Sequence, residues 1–104
     1  MKNREVVELF SRVADMLAIR GDQIHRILAY RKAAESIDAL GRDVNVVFAE
    51  GRLTDIPGIG DTLAAKIEEM LTTGRLTFYD KLAQEIKQLM ERIASTAVQP
   101  KEKK

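Results

Sequence analysis

The chain has 104 residues, one domain's length, with 45% apolar and 32% charged side chains and a formal net charge of +1, so no overall basic excess announces a polyanionic partner. There is no cysteine, which excludes disulfides and cysteine–zinc sites and fits a reducing compartment. No apolar run is long enough to cross a membrane, and the opening "MKNREVVELF" lacks a signal-peptide core, so the expectation is a cytoplasmic protein.

The first helix is read over residues 4–19, where Val6, Leu9, Phe10, Val13 and Leu17 recur at helical spacing. "RGD" at 20–22 ends it, and Asp22 is placed to N-cap the next helix. That second helix spans about Gln23 to Leu40, with Ile27, Tyr30, Ala34 and Ile37 on one side and Gly41 as its C-cap. A short helix over Val44 to Glu50 stops at Gly51, and Arg52 to Ile56 fits one further turn. A fourth helix covers Asp61 to Thr73 and stops at Gly74; a fifth runs from about Thr77 to Ala94. No segment reads as a strand, and the flanks of "NVVF" at 45–48 favour helix. The expected fold is all-α, a compact bundle of four to five helices over residues 1–95, with 96–104 a mobile polar tail.

The segment between the third and fourth helices carries the chemistry. The pattern Leu53-x-x-Ile56-x-Gly58-Ile59-Gly60-x-x-x-Ala64-x-x-Ile67 is a helix–hairpin–helix. Pro57 biases Ile56 away from helix, so the preceding turn must stop. Gly58 and Gly60 permit positive φ and bare the backbone, while Ile59 tucks between the helices. The next helix starts at Gly60 or Asp61 and aims its unpaired N–H groups the same way. Such a nest binds an anion, and a nucleic-acid phosphate is the usual one. A plain inter-helix turn is the alternative, and the full apolar register with small Ala64 at the crossing argues against it.

Three stretches together, "HRILAYRKAAESI", "EGRLTDIPGIGDTLAAKI" and "TTGRL", resemble the amino-terminal lyase domain of family X DNA polymerases. The resemblance covers roughly residues 3–82. It implies binding at the 5′-phosphate side of gapped DNA during repair. In some members it also implies removal of 5′-deoxyribose phosphate through a lysine Schiff base. By position the nucleophile falls on Lys66, the active-site tyrosine on Tyr30, and two phosphate-pocket residues on His25 and Arg26. Family lysines are replaced by Thr62 and Phe78, which weakens phosphate capture and removes positive neighbours from the nucleophile. The resemblance also implies a monovalent cation, Na+ or K+, on the main-chain carbonyls of Thr54, Ile56 and Ile59, with no other cofactor. The sequence holds no catalytic palm, so a polymerase is not expected.

Without the resemblance, Lys66 lies on the shoulder of the buried face made by Leu63, Ala64, Ile67 and Leu71. It reads as a snorkelling lysine, a phosphate contact or a nucleophile, with DNA contact placed first. Tyr30 is either catalytic or a core residue with its hydroxyl at the rim. His25 suits an anion near a helix start, and Arg26 stands beside it. The reading is a monomeric DNA-binding module. Its grip comes from Gly58, Ile59, Gly60, Thr62, Lys66, His25 and Arg26, on phosphates rather than base sequence. The rivals are an abasic-site lyase acting through Lys66 and a protein-interaction module that has lost DNA. In the last helix, Leu82, Ile86, Leu89 and Ile93 form a two-heptad apolar seam. Leu82 and Ile86 are expected to be buried, Ile93 exposed, and weak self-association through the seam is the competing reading.

Overall fold

The computed structural model describes the backbone of residues 1–102 and the side chains of residues 1–95. Helix α1, Asn3–Arg20, buries Val6, Phe10, Val13, Ala14 and Leu17, the stripe that its apolar spacing dictates. Gly21 ends it at φ 81°, and the Gly21 and Asp22 N–H groups close on the carbonyls of Ala18 and Leu17 at 3.1 and 2.9 Å. The chain turns at once into α2, Ile24–Asp38, which folds back along α1 with Ile27, Tyr30, Ala33, Ala34 and Ile37 inward. A salt bridge from Arg31 to Asp15 (3.0 Å) spans the pair.

Both expected caps of α2 move. Gln23, not Asp22, is the N-cap residue, and Ala39, not Gly41, ends the helix. The Asp22 carboxylate accepts the Gln23 N–H at 2.9 Å but is drawn chiefly to Arg20 (2.6 Å) and Arg26 (3.2 Å). Gly41 serves the turn that follows, at φ 73°.

Helix α3, Val44–Ala49, is capped by the Asp43 carboxylate, which accepts the Asn45 N–H at 2.9 Å. Asn3 ties this corner to the start of α1: its amide donates to the Arg42 carbonyl at 2.7 Å and accepts from the Val44 N–H at 2.8 Å. A 3-10 turn, Leu53–Asp55, leads through the hairpin into α4, Asp61–Thr73, with Leu63, Ile67 and Met70 buried. Gly74, at φ 76°, stops α4 where the sequence places the stop.

Helix α5, Thr77–Glu102, packs across α1 and continues past the end read at Ala94. Leu76 and Leu82 are buried, and Arg20 reaches Glu85 at 2.6 Å. Ile86, expected to be buried, is only half-buried, because α5 is already leaving the bundle there. Ile93 is exposed as expected, and Met90 with it. The expected tail, 96–104, lies outside the residues whose side chains are described. The result is an all-helical fold of five α-helices over one hydrophobic core, with no strand among the described residues. No described helix is long and apolar enough to cross a membrane.

Candidate nucleic-acid interface

The site is built where the hairpin hands the chain to α4. Ile56 is extended (φ −73°, ψ 130°), as a residue before proline must be. The Ile59 N–H donates back to the Ile56 carbonyl at 3.0 Å, closing the turn, and Ile59 buries its side chain. Gly58 sits at φ 82°, in the left-handed region that glycine tolerates without strain. A Cβ there would also lie 2.9 Å from Cγ of Lys32.

Gly60 behaves differently from the expectation. Its φ is −93° and ψ −169°, ordinary extended backbone, so no positive φ is needed. A Cβ at Gly60 would meet no atom of the protein within 4 Å. Neither crowding nor a left-handed backbone requires glycine at this position, where it is one of several residues favoured as a helix N-cap. Gly60 is the N-cap of α4: its carbonyl accepts the first helical bond, from the Ala64 N–H at 2.9 Å. The N–H groups of the first turn are left without intrahelical partners, and the helix dipole adds positive potential there.

In front of this turn lies an open cleft of about 380 Å³. Gly60, Asp61, Thr62 and Leu63 line it from the start of α4, Lys66 from one turn on, and Arg26, Ala29 and Tyr30 from α2. Lys66 is half-buried, Thr62 exposed, and Tyr30 only 4% exposed. Burial pushes the Tyr30 hydroxyl up to about 12, against the opposing pull of Arg26. At neutral pH Tyr30 is therefore a neutral donor and not a base. Glu69, one turn beyond Lys66, is committed elsewhere: its carboxylate accepts both the hydroxyl and the N–H of Thr77.

The structure thus brings Tyr30, Arg26, Gly60, Thr62 and Lys66 to one cleft and leaves three expected site residues outside its wall. His25 is exposed on α2, turned about 100° from Arg26 as any helical neighbour must be. Gly58 packs towards Lys32, and Ile59 faces the core. Of the carbonyls read as cation ligands, that of Ile56 already accepts the Ile59 N–H, which leaves it one lone pair for an ion. Thr54 borders a separate groove with Asp61 and Glu68.

One residue of the site was read only as a lost lysine. The Phe78 ring, from the first turn of α5, stacks on Tyr30 at 6.1 Å and 20°. Lys66 Nζ lies 4.7 Å and Arg26 Cζ 5.3 Å from its centroid. An aromatic at the second position of a helix, facing a Tyr and two cations far off in sequence, carries no local signal that would have marked it.

Residues 1–76 match the helix-hairpin-helix domain family. The chain belongs to that family. Helix-hairpin-helix domains are DNA-binding modules, and their binding is in general not sequence-specific.

Proposed function

We propose that the cleft at the start of α4 takes a phosphate of DNA, and that its preferred targets are gaps and 5′-phosphate ends met in DNA repair. One observation carries the reading. Gly60 occupies a position with ordinary backbone angles and open space at its missing Cβ, between Lys66, Arg26 and a helix N-terminus. A bare backbone there leaves room for an incoming group. The resemblance to the lyase domain of family X DNA polymerases supports the choice of a 5′-phosphate. In this reading the Gly60–Leu63 backbone, the Thr62 hydroxyl, Lys66 and Arg26 hold the phosphate, and His25 meets the neighbouring strand from its exposed place on α2. Gly58 and Ile59 act through their backbone by setting the hairpin. The carbonyls of Thr54, Ile56 and Ile59 would hold Na+ or K+, which would bridge the hairpin to a further phosphate.

The test is Gly60→Val, measured on gapped duplexes with and without a 5′-phosphate. Affinity is expected to fall, with the helical fold retained and the phosphate preference reduced. Full affinity in this variant would remove the cleft from the mechanism.

A second reading makes Lys66 a lyase nucleophile, with Tyr30 assisting, and is favoured by the half-burial of Lys66 beside Tyr30. The neutral amine would add to C1′ of the sugar aldehyde and expel water to form an imine. A water would then take the C2′ proton, and the C3′–oxygen bond would break with that oxygen leaving on the 5′-phosphate of the DNA. Borohydride trapping on DNA bearing a 5′-deoxyribose phosphate separates the two readings. Weak trapping at most is expected, and Lys66→Ala should abolish it.

A further inference from the structure

The Phe78 ring has an unusual set of neighbours. On the core side it stacks on Tyr30, and Tyr30 in turn meets Phe10 edge-to-face at 5.5 Å and 75°. Phe10 is fully buried, Tyr30 lines the cleft and Phe78 is half-buried beside it, so the three rings run from the core to the cleft's edge. At the outer end stand two cations from two different helices, Lys66 on α4 and Arg26 on α2.

Lys66 makes no salt bridge among the described residues; Glu69 acts on it only through space, its carboxylate being hydrogen-bonded to Thr77. Arg26 is held on its other side by Asp22 at 3.2 Å. The π face attracts an ammonium or guanidinium and offers nothing comparable to a neutral amine. A free lysine side chain loses rotamer freedom when it grips a ligand; one already seated loses less.

We infer that Phe78 is the positioning residue of the cleft: its ring seats Lys66 and Arg26 as a fixed pair of cations and commits Lys66 to holding phosphate rather than to attacking a sugar. The ligand class is a phosphate group flanked by two cations, of which a terminal phosphomonoester, with two charges, gains the most. The inference rests on the proposed reading of the cleft, which the Gly60→Val experiment tests by itself.

The seat is tested by Phe78→Leu, Phe78→Trp and the same changes in Lys66→Ala, with binding to 5′-phosphorylated gapped DNA as readout. A Lys66 freed from its seat must be ordered again when DNA binds, which should weaken binding about fivefold. Phe78→Trp, which keeps a π face, should restore it. In the Lys66→Ala background Phe78→Leu should cost clearly less, an outcome that a merely structural role would not give. An equal loss in both backgrounds, or full affinity in Phe78→Leu, would overturn the seat. Should Phe78→Leu fail to fold, the wild type decides alone: the Lys66 Hε resonances should be shifted upfield by the ring, and unshifted resonances would overturn the inference. If Gly60→Val weakens binding while Phe78→Leu does not, only the seat fails. If Gly60→Val has no effect, the phosphate reading of the cleft itself falls.

Discussion

The carboxylate of Glu69 on α4 accepts the N–H of Thr77 at 2.9 Å, and the Thr77 hydroxyl with it, so one helix caps the start of the next. Removing a cap of this kind costs typically about 1 kcal/mol. Glu69→Ala is therefore expected to lower the melting temperature by about 4–8 °C in a domain of this size. Calorimetry checks this, and an unchanged transition would mean that α5 is held by its apolar contacts alone.

Acid should destabilise the fold in a defined window. Hydrogen bonds from Arg20 and then the Gln23 N–H hold the Asp22 carboxyl below its usual range. Those from the Thr77 hydroxyl and N–H do the same for Glu69. A carboxyl lowered in the folded state stabilises it above the unfolded pKa and stops doing so as pH falls through the folded one. Stability should hold from pH 7 to about 5 and fall below about 4. Denaturant titrations across that range should show a shallower acid limb in Asp22→Asn and Glu69→Gln, and an identical limb in both variants would contradict the assignment.

The two hairpin glycines should part company. Gly58→Ala forces a left-handed backbone on a residue with a Cβ, which costs about 1–2 kcal/mol, and pushes on Lys32 as well. At Gly60 a Cβ meets no atom of the protein within 4 Å, so Gly60→Ser, which keeps a favoured N-cap residue, should leave stability within about 0.5 kcal/mol. Denaturation of the two proteins side by side reads the difference; equal destabilisation would mean that Gly60 serves the fold after all.

Salt should weaken DNA binding steeply. With about three phosphates neutralised, the slope of log affinity against log salt on duplex DNA is expected near −3. Lys66→Ala should make it shallower by about one. A slope indifferent to that substitution would place Lys66 away from the backbone.

The seam on α5 divides into an anchoring part and an open part. Leu82 is 1% exposed and Ile93 56%. A cavity-forming Leu82→Ala should cost about 2–5 kcal/mol. Ile93→Asp, on an exposed face, should stay within about 0.5 kcal/mol. Sedimentation should show a monomer at micromolar concentration; a dimer dissociated by Ile93→Asp would assign the open part of the seam to self-association.

The helices were legible because their apolar spacing and their stops are local. Helix α4 lies where its spacing and Gly74 put it, and α1 differs by one residue at each end. The caps of α2 were misread because Asp22 answers to Arg20 and Arg26 as well as to the backbone, a competition that composition does not reveal. Gly60 was misread for a different reason: glycine suggests positive φ, yet here the backbone is ordinary extended chain at a helix N-cap. At the site, Tyr30, Arg26 and Lys66 were found as single residues, but that they share a cleft whose wall His25 does not join is decided by tertiary packing. Phe78 stayed hidden because all three of its partners arrive through tertiary packing.

The ring beside Lys66 belongs to α5 while the cleft's opening turn belongs to α4, so on the proposed reading occupancy of the cleft and docking of α5 would be one linked equilibrium. A ligand that binds only the docked form stabilises it by RT ln(1 + [L]/Kd), about 2.7 kcal/mol at a hundredfold excess over Kd. DNA would then act on amides that it does not touch. Those near Thr77 and Leu82 would exchange with solvent more slowly in the complex.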